Sequence, residues 1–114
     1  KARGLAGSAF GIVGLETSFP VLYTCLVKKQ IITLEKLIEL MSVNPRKRFG
    51  LEGGAIEDGQ PADLTVLDLD RRWKIDPAQF ASKGKATPFS GWEVQGKVLF
   101  TIVNGEIAYE ETDA

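Results

Sequence analysis

The chain has no histidine, a single cysteine (Cys25) and no excess of positive charge, and each shortage removes a class of function. Without histidine, and with no obvious general acid or base in its place, the chain shows no catalytic group of its own for proton transfer at neutral pH. A lone cysteine closes no internal disulfide, and with no histidine beside it offers no zinc site. One free thiol suits a reducing compartment such as the cytoplasm. Lys and Arg total 14 against 15 Asp and Glu, for a net charge of -1, so a nucleic-acid partner has no electrostatic support. The local cluster Arg46-Lys47-Arg48 reads as a solvated helix face rather than a phosphate site. No apolar stretch approaches the roughly 18 residues of a membrane span, and no charged-then-apolar leader is visible. What remains is ordinary for a folded domain. Hydrophobic residues at 44% and charged residues at 25% exclude disordered and collagen-like classes. A length of 114 residues suffices for one small domain with a core.

Against this background the run Phe10-Gly11-Ile12-Val13-Gly14-Leu15-Glu16-Thr17 stands out. It follows a Gly- and Ala-rich stretch without helical or strand period, and it precedes an apolar helical pattern. Such a run suits the lining of an enzyme site, yet no catalytic side chain accompanies it. The chain therefore reads as a piece of an enzyme, and a first residue of Lys1 rather than methionine agrees with a truncated start. Gly11 and Gly14 also have a plainer reading, as relief for a tight loop before a helix, and spacing alone favours that one.

Leu15, Phe19, Leu22 and Leu26 recur at helical spacing, with Val21, Cys25 and Val27 widening the apolar face, which predicts a helix from Gly14 buried on most sides. Pro20 inside it marks a kink or a late start. Thr33 is a good N-cap for a second helix, whose stripe is Leu34, Leu37, Ile38 and Met41. Asn44-Pro45 predicts a new cap and a third short helix ended by Gly50, with Phe49 and Leu51 packing back on the core. After Gly53-Gly54 the period becomes strand-like. Strands are expected over 63–69, 73–75 and 97–103, with a long ordered loop over 76–92. Asn104-Gly105 is the strongest hairpin signal, leading into a last strand over 106–110. A change from helices to strands near residue 52 divides the chain into 1–52 and 53–114.

Four stretches together resemble the C-terminal part of the dihydroorotases of the amidohydrolase superfamily. They are Phe10 to Thr17; Asn44-Pro45 with Phe49-Gly50-Leu51; Gly59 with Pro61-Ala62-Asp63-Leu64; and Ser82-Lys83-Gly84 through Thr87-Pro88-Phe89 and Gly91, continuing into Gly96 and Thr101-Ile102. The third is shared across the superfamily, whereas the first and fourth are more specific. The resemblance covers essentially the whole chain and implies about the last quarter of a longer protein. It implies an α/β fold, in which 1–52 are the last loop and helices of a (β/α)8 barrel and 53–114 belong to a flanking β-sandwich. The implied reaction is the zinc-dependent, reversible cyclisation of N-carbamoyl-L-aspartate to dihydroorotate, with the zinc ligands and the proton-shuttling aspartate all upstream of Lys1.

The resemblance maps one pair of site residues here, Phe10 and Gly11, whose backbone would bind the ring amide and carbonyl of the substrate. A planar cyclic amide needs a donor and an acceptor side by side, and main-chain groups supply both rigidly. With the resemblance, the substrate-binding reading overtakes the plainer one at these two positions. The family usually has proline where Ala9 stands and often asparagine where Ala86 stands; alanine at 9 implies a looser loop. Glu16 reads as a helix-dipole partner and Asp63 as a turn-stabilising side chain, while Trp73, Phe89 and Trp92 read as packing between sandwich and barrel. Expected partners are the small-molecule substrate, the rest of the chain, further copies in a homo-oligomer, and aspartate carbamoyltransferase. Two rival readings stay open: an inactive homologue that scaffolds that transferase, and a hydantoinase-like hydrolase of another cyclic amide.

Overall fold

A computed structural model describes Gly4, Ala6, Gly7 and residues 11–112. Its elements are α1 (Ser18–Leu22), which runs on into a wider π turn over Tyr23–Val27; α2 (Leu34–Ile38), which continues through a second π turn over Glu39–Val43 into α3 (Asn44–Phe49); and strands β1 (Leu64–Lys74), β2 (Glu93–Val103) and β3 (Glu106–Glu110). The strands form one antiparallel sheet in the order β1-β2-β3. This is the expected α/β sequence of helices followed by antiparallel strands.

Helix α1 starts late. Residues 14–17 form turns, and the first helical residue is Ser18, which leaves Pro20 in the opening turn where its missing N–H has no helical acceptor to lose. Leu15 consequently stands outside the helix and is 94% exposed, contrary to the expected buried face. The helix ends in an αL residue that is not glycine. Gln30 has φ +60°, with Ile31 N–H donating to Leu26 O and Gln30 N–H to Val27 O, a Schellman closure. In α2 the Thr33 cap is as expected, its Oγ1 accepting from Lys36 N–H at 3.1 Å. No new cap forms at Asn44: its backbone is helical and its N–H donates to Glu39 O. The π turn ahead of Pro45 takes the proline into a continuing helix without a break. Gly50 closes α3 in the αL conformation, as the sequence suggested. Phe49 and Leu51 do not pack back, however. Both are exposed, and the buried residue of the continuous α2–α3 helix is Leu37.

The two strands expected over 63–69 and 73–75 are one strand with a wide bulge. Asp68 pairs with Lys97 and Arg72 with Gln95, so the intervening residues oppose Gly96 alone. Asp68 Oδ1 accepts from Asp70 N–H and Arg71 N–H there, and this polar turn is what interrupts the strand pattern in the sequence. The Asn104-Gly105 turn is as expected. Both residues have positive φ and Val103 pairs with Glu106 across them. Asp63 Oδ1 accepts from Asn104 N–H at 2.7 Å, which fixes the turn against the entry to β1.

The core draws on both halves of the chain. Val21 from α1, Ile75 and Val94 are buried together, with Cys25, Trp73, Phe80 and Phe89 around them. Thr24 Oγ1 donates to Gln95 O at 3.2 Å and accepts from Gln95 N–H at 2.9 Å, tying the helix to β2 beside the bulge. The rings of Phe19 and Tyr23 stack at 5.6 Å over Gly96.

Candidate functional site

The connection from β1 to β2 is an arm. Its base is pinned where Ile75 N–H donates to Trp92 O and Gly91 N–H to Ile75 O. Asp76 Oδ1 accepts from Ala78 N–H and starts a short 3-10 turn over Pro77–Gln79. Further along, Lys85 Nζ donates to Phe80 O at 2.6 Å, and Thr87 Oγ1 accepts from Phe89 N–H. Phe89 in turn meets Trp92 edge-on at 5.0 Å. Phe80, where the far part of the arm (80–86) begins, packs against the core cluster.

The far part of the arm lies along the 11–17 segment. Val13 N–H donates to Ala86 O at 2.9 Å. Glu16 Oε1 accepts from Ala81 N–H at 3.0 Å and Oε2 from Ser82 N–H at 3.2 Å. Between these points Val13 sits over Gly84, where a β-carbon would come within 2.7 Å of its Cγ1. The two stretches that carry the more specific resemblance are therefore neighbours in space. Burial pushes the Glu16 carboxyl up, the largest single effect. The Ala81 and Ser82 backbone donors, the Ser82 side chain and the positive charge of Lys85 together outweigh it and hold the group below the usual carboxylate range.

Of the sequence-derived site pair, Phe10 lies outside the described residues. Gly11 is exposed, and among the described residues nothing lies within 4 Å of where its β-carbon would stand. Beside the arm a groove of about 730 Å³ opens between Leu15, Phe19 and Phe80 on one side and the sheet on the other. Its sheet wall sets Lys97, Thr101 and Glu111 beside Trp73 and Val98. Lys97 Nζ stands 3.7 Å from the Trp73 ring centroid and 3.3 Å from Glu111 Oε2, which also accepts from the Tyr109 hydroxyl at 3.0 Å. Burial first, and then the hydrogen bond and negative charge of Glu111, hold the Tyr109 hydroxyl above its ordinary range. Sequence reasoning missed the Glu16 fork, because nothing local signals that residues 65 positions apart will meet. No group of three His, Cys, Asp or Glu side chains able to hold a metal exists among the described residues. No helix among them is long and apolar enough to cross a membrane.

The amidohydrolase family model matches residues 3–108. The chain belongs to the amidohydrolase family. It is 52% identical over all 114 residues to dihydroorotases of Bacillus thuringiensis (strain Al Hakam) and Bacillus cereus (strain AH187), and it spans 27% of the length of each. Among solved structures it resembles the L-hydantoinase (dihydropyrimidinase) of Arthrobacter aurescens, with a TM-score of 0.80 and 42% identity, over 88% of this chain and 23% of that one. The dihydropyrimidinase of Brevibacillus agri NCHU1002 matches with a TM-score of 0.74 at 25% identity, over 80% of this chain and 20% of that one. The chain thus spans about a quarter of the length of the amidohydrolases it matches.

Proposed function

We propose that the chain is the C-terminal segment of a zinc-dependent dihydroorotase, which interconverts N-carbamoyl-L-aspartate and dihydroorotate in cytoplasmic pyrimidine biosynthesis. In this reading residues 1–52 are the closing loop and helices of the barrel and residues 53–114 belong to the β-sandwich. The segment serves recognition rather than bond-making. Phe10 and Gly11 offer main-chain donor and acceptor to the ring amide and carbonyl, and an unbranched Gly11 lets the ring come close. Zinc and its ligands belong to the remainder of the parent chain, itself a homo-oligomer. The observation that carries the reading is identity of 52% to Bacillus dihydroorotases along the whole chain.

The test is turnover by the full-length protein of carbamoyl aspartate, dihydrouracil, hydantoin and allantoin. Carbamoyl aspartate is the expected preference, and Gly11→Val should raise KM for dihydroorotate about tenfold by displacing the ring from its main-chain partners. A preference for hydantoin or dihydrouracil overturns the substrate assignment in favour of a hydantoinase-like enzyme, the reading that the match to the Arthrobacter L-hydantoinase supports. A folded, metal-loaded protein that turns over none of the four substrates would instead point to a non-catalytic homologue that scaffolds aspartate carbamoyltransferase.

A further inference from the structure

We propose that Glu16 is a positioning residue for this site: its carboxylate clamps the 80–86 arm to the 11–16 segment and so fixes where the Gly11 backbone meets the substrate. The inference rests on the reading of Gly11 as substrate-facing. Both carboxylate oxygens are engaged, one on each of two successive amides, Ala81 and Ser82. At the opposite end the Val13–Ala86 hydrogen bond closes the pair, and the absence of a side chain at Gly84 lets Val13 settle between the two ends. Segment and arm are thus fixed at two points, and Gly11 lies two residues beyond one of them.

A helix-dipole role does not account for this geometry. Helix α1 begins only at Ser18, and the oxygens of Glu16 are turned to another part of the chain. Nor does Glu16 support the core, since it is exposed and the buried cluster is Val21, Ile75 and Val94. The ionised form makes the clamp, because only a carboxylate accepts with both oxygens and donates with neither. The charge bearing on it comes from Lys85 on the arm, while Tyr109, Asp76, Lys97, Glu110 and Glu111 line the adjoining groove.

The test compares wild type, Glu16→Gln, Glu16→Asp and Gly84→Ala in the full-length protein, reading amide exchange over 80–86 together with kcat and KM. In Glu16→Gln one carboxylate oxygen becomes an NH2 that faces a backbone N–H, so exchange at residues 81 and 82 should quicken about tenfold. KM should rise about tenfold with a smaller change in kcat, as expected when positioning rather than chemistry is disturbed. Glu16→Asp keeps the charge and both acceptor oxygens and should lie nearer wild type than Glu16→Gln. Gly84→Ala leaves Glu16 intact yet pushes Val13 off the arm, so it should reproduce the KM rise and keeps the test decisive if a Glu16 variant folds poorly. Unchanged exchange at 81 and 82 in Glu16→Gln overturns the clamp, and faster exchange with unchanged KM overturns its bearing on substrate. Exchange does not depend on which cyclic amide is used, so a wrong substrate assignment leaves this result readable with the substrate the enzyme prefers.

Discussion

Gly96 meets two demands at a single position. Its φ is +97°, a conformation L side chains rarely adopt, and a β-carbon there would come within 3.2 Å of the Tyr23 ring and 3.3 Å of the Phe19 ring. Gly96→Ala should therefore destabilise the full-length protein by roughly 2–4 kcal/mol in denaturant titration, combining backbone strain with overpacking. In the sequence this glycine is only one letter of a resemblance, because neither its dihedral nor the rings above it are local facts. Asp63 is different: its turn-stabilising role was legible, since the acceptor sits at a strand entry and its partner, Asn104, belongs to a strong hairpin signal. Glu16 lies between the two, correctly placed near a helix start but engaged elsewhere. Its folded-state carboxyl is held below the ordinary range, so its contribution is fully present above the ordinary carboxylate pKa and is lost as pH falls through the lowered value. The acid limb of a KM–pH profile should accordingly weaken in Glu16→Gln.

Among the elements, sequence signals worked where a cap or turn is chemically specified and failed where the helix could adapt. Thr33, Gly50 and Asn104-Gly105 act as expected because each supplies a local hydrogen bond or a positive φ. Pro45 predicted a break, yet the π turn over Glu39–Val43 absorbs the missing donor and the helix continues. The end of the first helix shows the converse, a left-handed C′ position filled by Gln30 without the glycine that would have announced it. Gln30→Gly should relieve that strain and raise stability by about 1 kcal/mol, read as a higher urea midpoint with unchanged slope. A lower midpoint would show that the Gln30 side chain makes contacts in the intact protein that outweigh the strain.

At the scale of the whole molecule, the buried apolar residues among those described include Pro20, Val21, Tyr23, Leu37, Ile75 and Val94. Large apolar side chains remain exposed on both halves, among them Leu15, Ile31, Leu40, Phe49 and Leu51 on the helical half and Ile56, Val66, Trp92, Val103 and Ile107 beyond it. So much uncovered apolar surface is unusual for a free-standing domain, and relatives roughly four times as long supply chain that could cover it. Expressed alone, the chain should aggregate or bind a hydrophobic dye and melt without a sharp transition, whereas the full-length protein should do neither. Cooperative unfolding of a soluble monomer would contradict this.

The sequence by itself determined the α/β order, the Thr33 and Gly50 caps and the hairpin, and through its motifs the family. These are properties of neighbouring residues, fixed by hydrogen-bonding groups and dihedral preferences within a few positions. Only the tertiary structure decided that the arm over 80–86 returns to the 11–16 segment, that Glu16 grips it with both oxygens, and that Gly96 lies beneath two stacked rings. Those contacts join residues many positions apart, and long-range packing selects such partners with no local signal to mark them.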